Sequence, residues 1–361
     1  MKQYFDNQLN KMVEADVQSR PYTGSFSVES LKHYPEYLYK YRDCNKEHNF
    51  TMIEEGYLWA DNPANFYDPF DSLVNHKLKS ELSAIQKWLF QRLGEILYYS
   101  IPPKGMQPHK NGQSLQSYQE AQKRFMDSAG RYSAKKAQRI MIAETKKLPH
   151  NNQKRIQKVY NEFESPEFEK KMQDVIRETL SKVVNALREK NLVCCLTKRR
   201  DNQKMWEEYA DKYAGFVIEY DLSLAMEQCN TTSVLVRTFP VKYHKRLPKV
   251  PMLPFIERVF YKELYGKDTD IFDATKKLYK QLLIKKEEYC SEEEWRILSA
   301  TQRIEFPVVS AVYMGYKIAD KHEMRLKKIC AQKNIPLYKQ KFNSFTGTMH
   351  FELVRNEGET I

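Results

Sequence analysis

The chain has 361 residues, 41% of them hydrophobic, which is enough for one large domain or two of ordinary size with a real core. Aromatics make up 13%, with 24 Tyr among them, and so many rings must be buried or stacked, which excludes a disordered chain. The net charge of +12 points to nucleic acid or other anionic partners, but it is concentrated: residues 101–160 hold thirteen Lys and Arg against three acids, and the rest is nearly neutral.

Residues 1–34 mix polar residues with scattered aromatics and read as an arm with one short helix. Residues 35–79 open an α+β core. Tyr37, Tyr39 and Tyr41 alternate with Leu38, Lys40 and Arg42, the pattern of a strand with one aromatic face. Residues 45–55 read as a helix closed by Gly56, and Tyr57 to Ala60 as a short apolar strand. Pro63 and Pro69 then forbid regular structure, so Asn65 and Asp68 sit on a loop held by Phe66 and Phe70. That loop is either a structural Asx turn with an aromatic plug or a rigid platform for polar groups.

Residues 80–190 read as a basic helical insertion. Leu82, Ile85, Trp88, Leu89, Leu93, Ile96 and Leu97 recur at helical spacing and predict a buried helix of about five turns. The basic stretch that follows has only a thin apolar stripe. A further helix starts with Ser165 as cap and Pro166 in its first turn.

Residues 191–361 return to the core. Residues 192–197 and 216–221 are strand patterns, separated by a helix over 202–213 that Gly215 ends. Val234 to Tyr243 predicts another strand, prolines 248, 251 and 254 a loop, and residues 272–288 a helix. If residues 292–298 are extended, Glu292, Glu294 and Arg296 share one face while Trp295 and Ile297 anchor the other: either a charged edge strand or a site. Strand, helix and two strands follow at 308–315, 320–334, 335–342 and 348–354.

The six cysteines at 44, 194, 195, 229, 290 and 330 form no CxxC pair and no zinc spacing, and are expected to be reduced thiols. Residues 1–12 lack the apolar run of a signal peptide, and no window reaches the roughly 18 apolar residues of a membrane span. A cytoplasmic protein with no membrane association and no metal is therefore expected.

Several segments resemble the bacterial domain of unknown function 2971 family: Tyr39-Lys40-Tyr41-Arg42, Gly56-x-Leu58-Trp59-Ala60 with Asn65-Phe66-x-Asp68-Pro69-Phe70-Asp71, Asn202-x-x-Met205-Trp206-x-x-Tyr209-Ala210 with Gly215-Phe216-x-Ile218-Glu219-Tyr220-Asp221, and Glu292-x-Glu294-Trp295-Arg296. That family has no settled activity. The order of elements is also similar to toxin-type ADP-ribosyltransferases, which implies a central split, antiparallel sheet that holds NAD as substrate. In that likeness Tyr41 or Arg42 fixes the nicotinamide mononucleotide half, and Trp59, Trp206 or Tyr209 stacks on nicotinamide. Glu294 is the catalytic acid and Glu292 orients the acceptor, a protein or a nucleic acid; Asn65 and Asp68 are expected to complete the cofactor-binding set, although their aspartate-proline loop has no counterpart in that likeness. No Ser-Thr-Ser strand is present, which departs from that pattern.

The expected function is therefore NAD-dependent ADP-ribosyl transfer or NAD cleavage in a toxin or anti-phage setting. The alternative is a nucleic-acid-binding effector whose insertion contacts phosphates through Lys123, Arg124, Arg131, Lys135, Lys136 and Arg139, unless that run is a solvated helical face. A metal-dependent nuclease using Asp68, Asp71, Glu292 and Glu294 ranks last.

Overall fold

The computed structural model describes residues 2–66 apart from 21, 23 and 25, residues 81–85, 88, 154, 158 and 161–162, and residues 165–354 apart from 228–231, 267, 307, 344 and 347. Contacts divide the chain into one unit of residues 1–75, 184–248 and 275–361 and a second of residues 76–183 and 249–274.

The first unit is an α+β structure built on an eight-stranded sheet. Its strands run β12-β11-β10-β4-β1-β3-β8-β5. These are β1 (Tyr37–Arg42), β3 (Leu192–Thr197), β4 (Phe216–Asp221), β5 (Thr238–Pro240), β8 (Glu294–Ser299), β10 (Val309–Met314), β11 (Leu337–Asn343) and β12 (Thr348–Leu353). All neighbours are antiparallel except β10 and β11, so the sheet is mixed. Two ribbons accompany it: β2 (Tyr57–Trp59) with β9 (Arg303–Glu305), and β6 (Lys242–His244) with β7 (Ile284–Lys286).

The central strand β1 places Tyr37, Tyr39 and Tyr41 on the face here called outer, and Leu38, Lys40 and Arg42 on the inner face, because side chains alternate along a strand. Register extends that division across the sheet. Glu219 pairs with Tyr39, Tyr39 with Thr197, and Thr197 with Glu294, so these four lie in one row on the outer face. On the inner face Tyr220 pairs with Leu38 and Ile218 with Lys40.

The helices cover both faces. On the inner face α2 (Glu47–Glu55) stacks Phe50 on Phe216, with ring centroids 5.3 Å apart. It ends at Gly56, whose φ of 69° is the left-handed conformation that glycine adopts without a Cβ clash. Helix α1 (Lys2–Val17) buries Phe5, Leu9, Met12 and Val13, with Phe5 edge-on to Trp295 at 5.4 Å. The expected arm with one short helix is thus a sixteen-residue helix packed into this unit. Outer-face packing centres on Trp206 of α4 (Gln203–Tyr209), fully buried and edge-on to Tyr41 at 5.4 Å.

Three other expectations are corrected. The helix expected through Tyr213 stops at Tyr209, and Asp211, Lys212 and Tyr213 all take left-handed φ values of 46°, 53° and 70°. Gly215 then serves a close approach: a Cβ there would lie 2.1 Å from the Arg42 carbonyl oxygen. The strand expected over 234–243 is split into α6 (Thr232–Leu235), β5 and β6, after α5 (Leu222–Glu227). The helix expected over 272–288 is α8 (Phe272–Gln281), followed by β7 and a 3-10 turn, Glu287–Glu292. Helix α9 (Asp320–Lys333) and strands β10 to β12 lie where their patterns predict.

In the second unit, α7 (Leu253–Tyr265) carries Tyr261, whose ring lies 6.3 Å from Trp88, and its Met252 cap donates a backbone N–H to Glu81 at 3.2 Å. The long helix α3 (Pro166–Lys190) begins here, with Ser165 Oγ accepting the Phe168 N–H at 3.1 Å as its cap. Leu82, Ile85 and Trp88 are buried as their spacing predicts; the remainder of the five-turn helix lies outside the described residues.

Candidate functional site

Between β3 and α4 the polar run from Lys198 to Asn202 has no regular structure of its own and is held by its neighbours. Tyr41 Oη donates to the Arg199 carbonyl at 2.9 Å, and Trp206 Nε1 donates to the Arg200 carbonyl at 2.9 Å. Asn202 caps α4 by accepting the Met205 N–H at 3.3 Å and ties the run to the Ser291 carbonyl at 2.7 Å. The segment is therefore fixed through its carbonyls, while its charged side chains stay about half exposed.

Those side chains form one wall of an open cleft of about 440 Å³ on the outer face, and Tyr37, Tyr39, Tyr313 and Glu219 form the rest. The Glu219 carboxylate accepts from Ser310 Oγ at 2.9 Å and from Tyr313 Oη at 2.7 Å. Arg200 donates to the same Tyr313 oxygen at 2.9 Å and stands 3.9 Å from Glu219. Burial and the nearby carboxylate raise the phenols of Tyr39 and Tyr313, so both remain protonated donors at neutral pH. Lys198 and Arg199 share Glu293, and Arg199 also pairs with Asp201 at 2.9 Å.

A second polar group lies on the same face at β8. Glu294 and Arg296 come from the strand; Glu292 reaches them from the preceding 3-10 turn, because Glu293 takes a left-handed φ of 45° between the two acids. Lys285 of β7 donates to Glu292 at 2.6 Å and to Glu294 at 3.0 Å, and Arg296 Nε donates to Glu294 at 2.7 Å. All four residues are at most 6% exposed. Burial acts against the Glu294 charge, but Arg296 and Lys285 outweigh it and hold the carboxyl at about 2. Glu292 is displaced the other way: burial raises it despite Lys285, and its Oε1 has no partner. Lys285, penalised by burial, is kept charged by Glu294 and Glu292.

The structure separates the residues that the sequence grouped. Tyr41 and Arg42 face opposite sides of the sheet and cannot line one site. Tyr41 and Trp206 are buried supports of the Lys198–Asn202 run, with no free face for a ring to stack on. Tyr209 leaves one side in water, while its burial-raised phenol lies among Lys285, Glu292 and Glu294. Trp59 packs near His48, ring centroids 6.1 Å apart, on the β2–β9 ribbon. Asn65 donates to Asp61 at 2.9 Å at the end of a turn that Asn62 caps, the structural Asx arrangement. Asp68 and Asp71 lie outside the described residues, as do Lys123, Arg124, Arg131, Lys135, Lys136 and Arg139.

The cleft residues Lys198, Arg200, Glu219 and Tyr313 were not singled out from the sequence. Two signals were available: a charged run placed directly between a buried strand and a capped helix, and a carboxylate in the middle of the apolar strand Phe216–Asp221.

A family model described as a protein of unknown function (DUF2971) matches residues 205–297. The match runs from Met205 to Ile297. It takes in α4 from Met205 onward, Glu219 and the whole Lys285–Arg296 group, about a quarter of the chain. No curated protein and no solved structure matches the chain. Among the described residues no helix is long and apolar enough to cross a membrane, and no cluster of three or more His, Cys, Asp or Glu side chains is arranged to hold a metal.

Proposed function

We propose that the outer-face cleft binds a phosphate-bearing nucleotide, NAD in particular, and that Glu219 is the carboxylate that works on it. The observation that carries this reading is the composition of the cleft: a carboxylate held by two hydroxyl donors, tyrosine rings beside it, and three half-exposed cations along one wall. Lys198, Arg199 and Arg200 suit a diphosphate, since guanidinium and ammonium groups supply charge-assisted donors. The partly exposed ring of Tyr37 offers an apolar face to a base or to nicotinamide, whereas the Tyr313 ring is already stacked on Tyr338 with Arg200 over it.

In NAD cleavage the bond between ribose C1′ and the nicotinamide nitrogen breaks, and its electron pair leaves with neutral nicotinamide. An oxygen of water or of an acceptor then bonds to C1′ and gives up its proton to solvent. A carboxylate hydrogen-bonded to the adjacent ribose hydroxyl stabilises the oxocarbenium-like state between those events. Glu219 lines the cleft and its oxygens meet the neutral hydroxyls of Ser310 and Tyr313, so it fits this role better than Glu294, whose oxygens are held by the charged Lys285 and Arg296.

The test is nicotinamide release from NAD by the purified chain, with and without cell lysate as acceptor, alongside Glu219→Gln and Glu294→Gln. Loss of release in Glu219→Gln, with NAD binding retained by calorimetry, is the expected result. Release by Glu219→Gln at the parent rate, or no NAD binding by the parent protein, overturns the reading.

A further inference from the structure

The eight-stranded sheet ends differently on its two sides. At one edge β5 has three residues and stops at Pro240, and a short strand closed by proline is a blunted edge. At the other edge β12 has six residues with no proline, no glycine and no bulge in its pairing with β11, and among the described residues no strand lies beyond it. Val354 donates its N–H to the Leu337 carbonyl at 2.8 Å, and backbone groups alternate in direction along a strand, so residues 348, 350 and 352 also turn theirs toward β11. Met349, Phe351 and Leu353 therefore turn their N–H and C=O groups outward, to the free edge.

The side chains of β12 are sorted by face. Phe351 lies edge-on to Tyr313 at 5.0 Å, so Met349, Phe351 and Leu353 belong to the outer face, where Leu353 and Phe342, the β11 partner of Met349, are about half exposed. His350 and Glu352 belong to the inner face; His350 Nε2 lies 3.1 Å from Glu352 Oε1, and both side chains are half exposed. Behind them in β11 stand Lys341, opposite His350, and Lys339, opposite Glu352. A second β12 laid antiparallel along the free edge must set outward-turned residues against each other, which leaves few registers. A two-fold axis at Phe351 sets Phe351 against its own copy, Met349 against Leu353, and His350 against Glu352 on both sides of the axis. Moving the axis to 350 sets imidazole against imidazole, and moving it to 352 sets carboxylate against carboxylate. Of these registers, only the one centred on Phe351 pairs all three outward-turned residues and gives each carboxylate a basic partner.

We infer that β12 is a self-association edge: two copies of this chain pair through antiparallel β12 strands about a two-fold axis at Phe351, joining their eight-stranded sheets into one. Each outward-turned residue then donates one N–H and accepts one, so the open ladder is satisfied on both strands. On the outer face Met349 and Leu353 of the two chains cover each other beside the Phe351 pair. On the inner face the His350–Glu352 contact passes from residues about 7 Å apart along one strand to residues about 4.5 Å apart across the axis, with Lys339 behind each carboxylate. The contact is the same patch on both chains, so association closes at the dimer. It does not depend on the cleft binding NAD.

The test is the mass of the full chain by sedimentation equilibrium across a concentration series reaching well into the micromolar range. The parent should pass from 43.0 kDa to twice that mass as concentration rises. His350→Glu sets like charges opposite each other on both sides of the axis and should weaken the dimer by at least about tenfold, with the circular dichroism of the monomer unchanged because the residue is half exposed. Leu353→Pro takes one N–H from the free edge and none from the β11 ladder, and should also give monomers. The double variant His350→Lys, Glu352→Lys should fail to dimerise alone, yet mixed with His350→Glu it should form a dimer of one chain of each, since every opposed pair is then Glu against Lys. A parent that stays monomeric, a dimer that His350→Glu leaves at full strength, or a mixture that does not associate overturns the proposal. A dimer formed only after removal of residues 355–361 would give the edge to the chain's own C-terminal segment and overturn it as well.

Discussion

Glu294→Gln should destabilise the protein far more than Glu292→Gln, although both remove one buried carboxylate from the same ammonium. The Glu294 carboxyl is held at about 2 against an ordinary 4.5. At about 1.4 kcal/mol for each tenfold change in proton affinity, that difference amounts to about 3 kcal/mol in favour of the charged, folded form. A depressed acid contributes stability that is present above its ordinary value and is lost as the pH falls through about 2. Removing it also takes the 2.7 Å carboxylate contact away from Arg296, which is fully buried, so a loss of about 3 kcal/mol is expected at pH 7. Glu292 has the opposite sign. Its raised pKa means that its contribution is full below 4.5 and is lost as the pH rises through the folded-state value. Glutamine at 292 relieves the burial of that charge while Lys285 keeps Glu294, so its cost at pH 7 should stay within about 1 kcal/mol. Urea unfolding followed by circular dichroism at pH 7 and pH 3 measures both variants, and Glu294→Gln should also show a flatter response to pH than the parent. Equal losses in the two variants, or an unchanged pH response in Glu294→Gln, would refute the assignment of the charged form to Glu294.

Trp206→Phe removes the 2.9 Å bond to the Arg200 carbonyl and leaves that acceptor unpaired; it should cost about 2 kcal/mol in chemical denaturation and, by loosening the cation wall, raise KM for the cleft ligand more than it lowers kcat. Gly215→Ala would place a Cβ 2.1 Å from the Arg42 carbonyl oxygen, backbone against backbone, so a loss of at least about 2 kcal/mol is expected, read as a fall in Tm; a change within experimental scatter would contradict the close approach.

The elements that were legible in the sequence are those whose side chains declare one period. The alternation of Tyr37 to Arg42 gave both the strand and its two faces, and Gly56 and Ser165 marked helix ends that the structure places at those residues. Legibility failed where the chain changes direction within a few residues. Residues 234–243 and 272–288 each look uniform, yet each contains a helix and a strand joined by a tight turn, and tertiary pairing with β8 and β6 decides the boundary. Helix α1 was hidden because Phe5, Leu9, Met12 and Val13 form a narrow stripe among amides and charges. The candidate site was legible only in part. Glu294 and Arg296 share a strand face as their spacing suggested, but Glu292 reaches them from a 3-10 turn rather than from an extended strand, and their partner Lys285 comes from a strand read as helix. Glu219 and Arg200 meet only through the pairing of β4 with β10 and the anchoring of the 198–202 run, both of which are long-range.

The sheet itself explains why the polar residues divide into distinct groups. Register sets Glu219, Tyr39, Thr197 and Glu294 in one row, and neighbouring strands are about 4.8 Å apart, so the two outer-face carboxylates are separated by three strand spacings, roughly 14 Å. The Lys198–Asn202 run crosses between them, with Lys198 and Arg199 bound to Glu293, the residue that lies between the two buried acids in sequence. A ligand phosphate that draws Arg199 toward the cleft would therefore act against its bond to Glu293, whose left-handed backbone delivers Glu292 to Lys285. The open cleft and the closed charge group thus share Glu293 as a neighbour: its carboxylate bonds Lys198 and Arg199 on the cleft side, and its backbone joins Glu292 to Glu294 on the other.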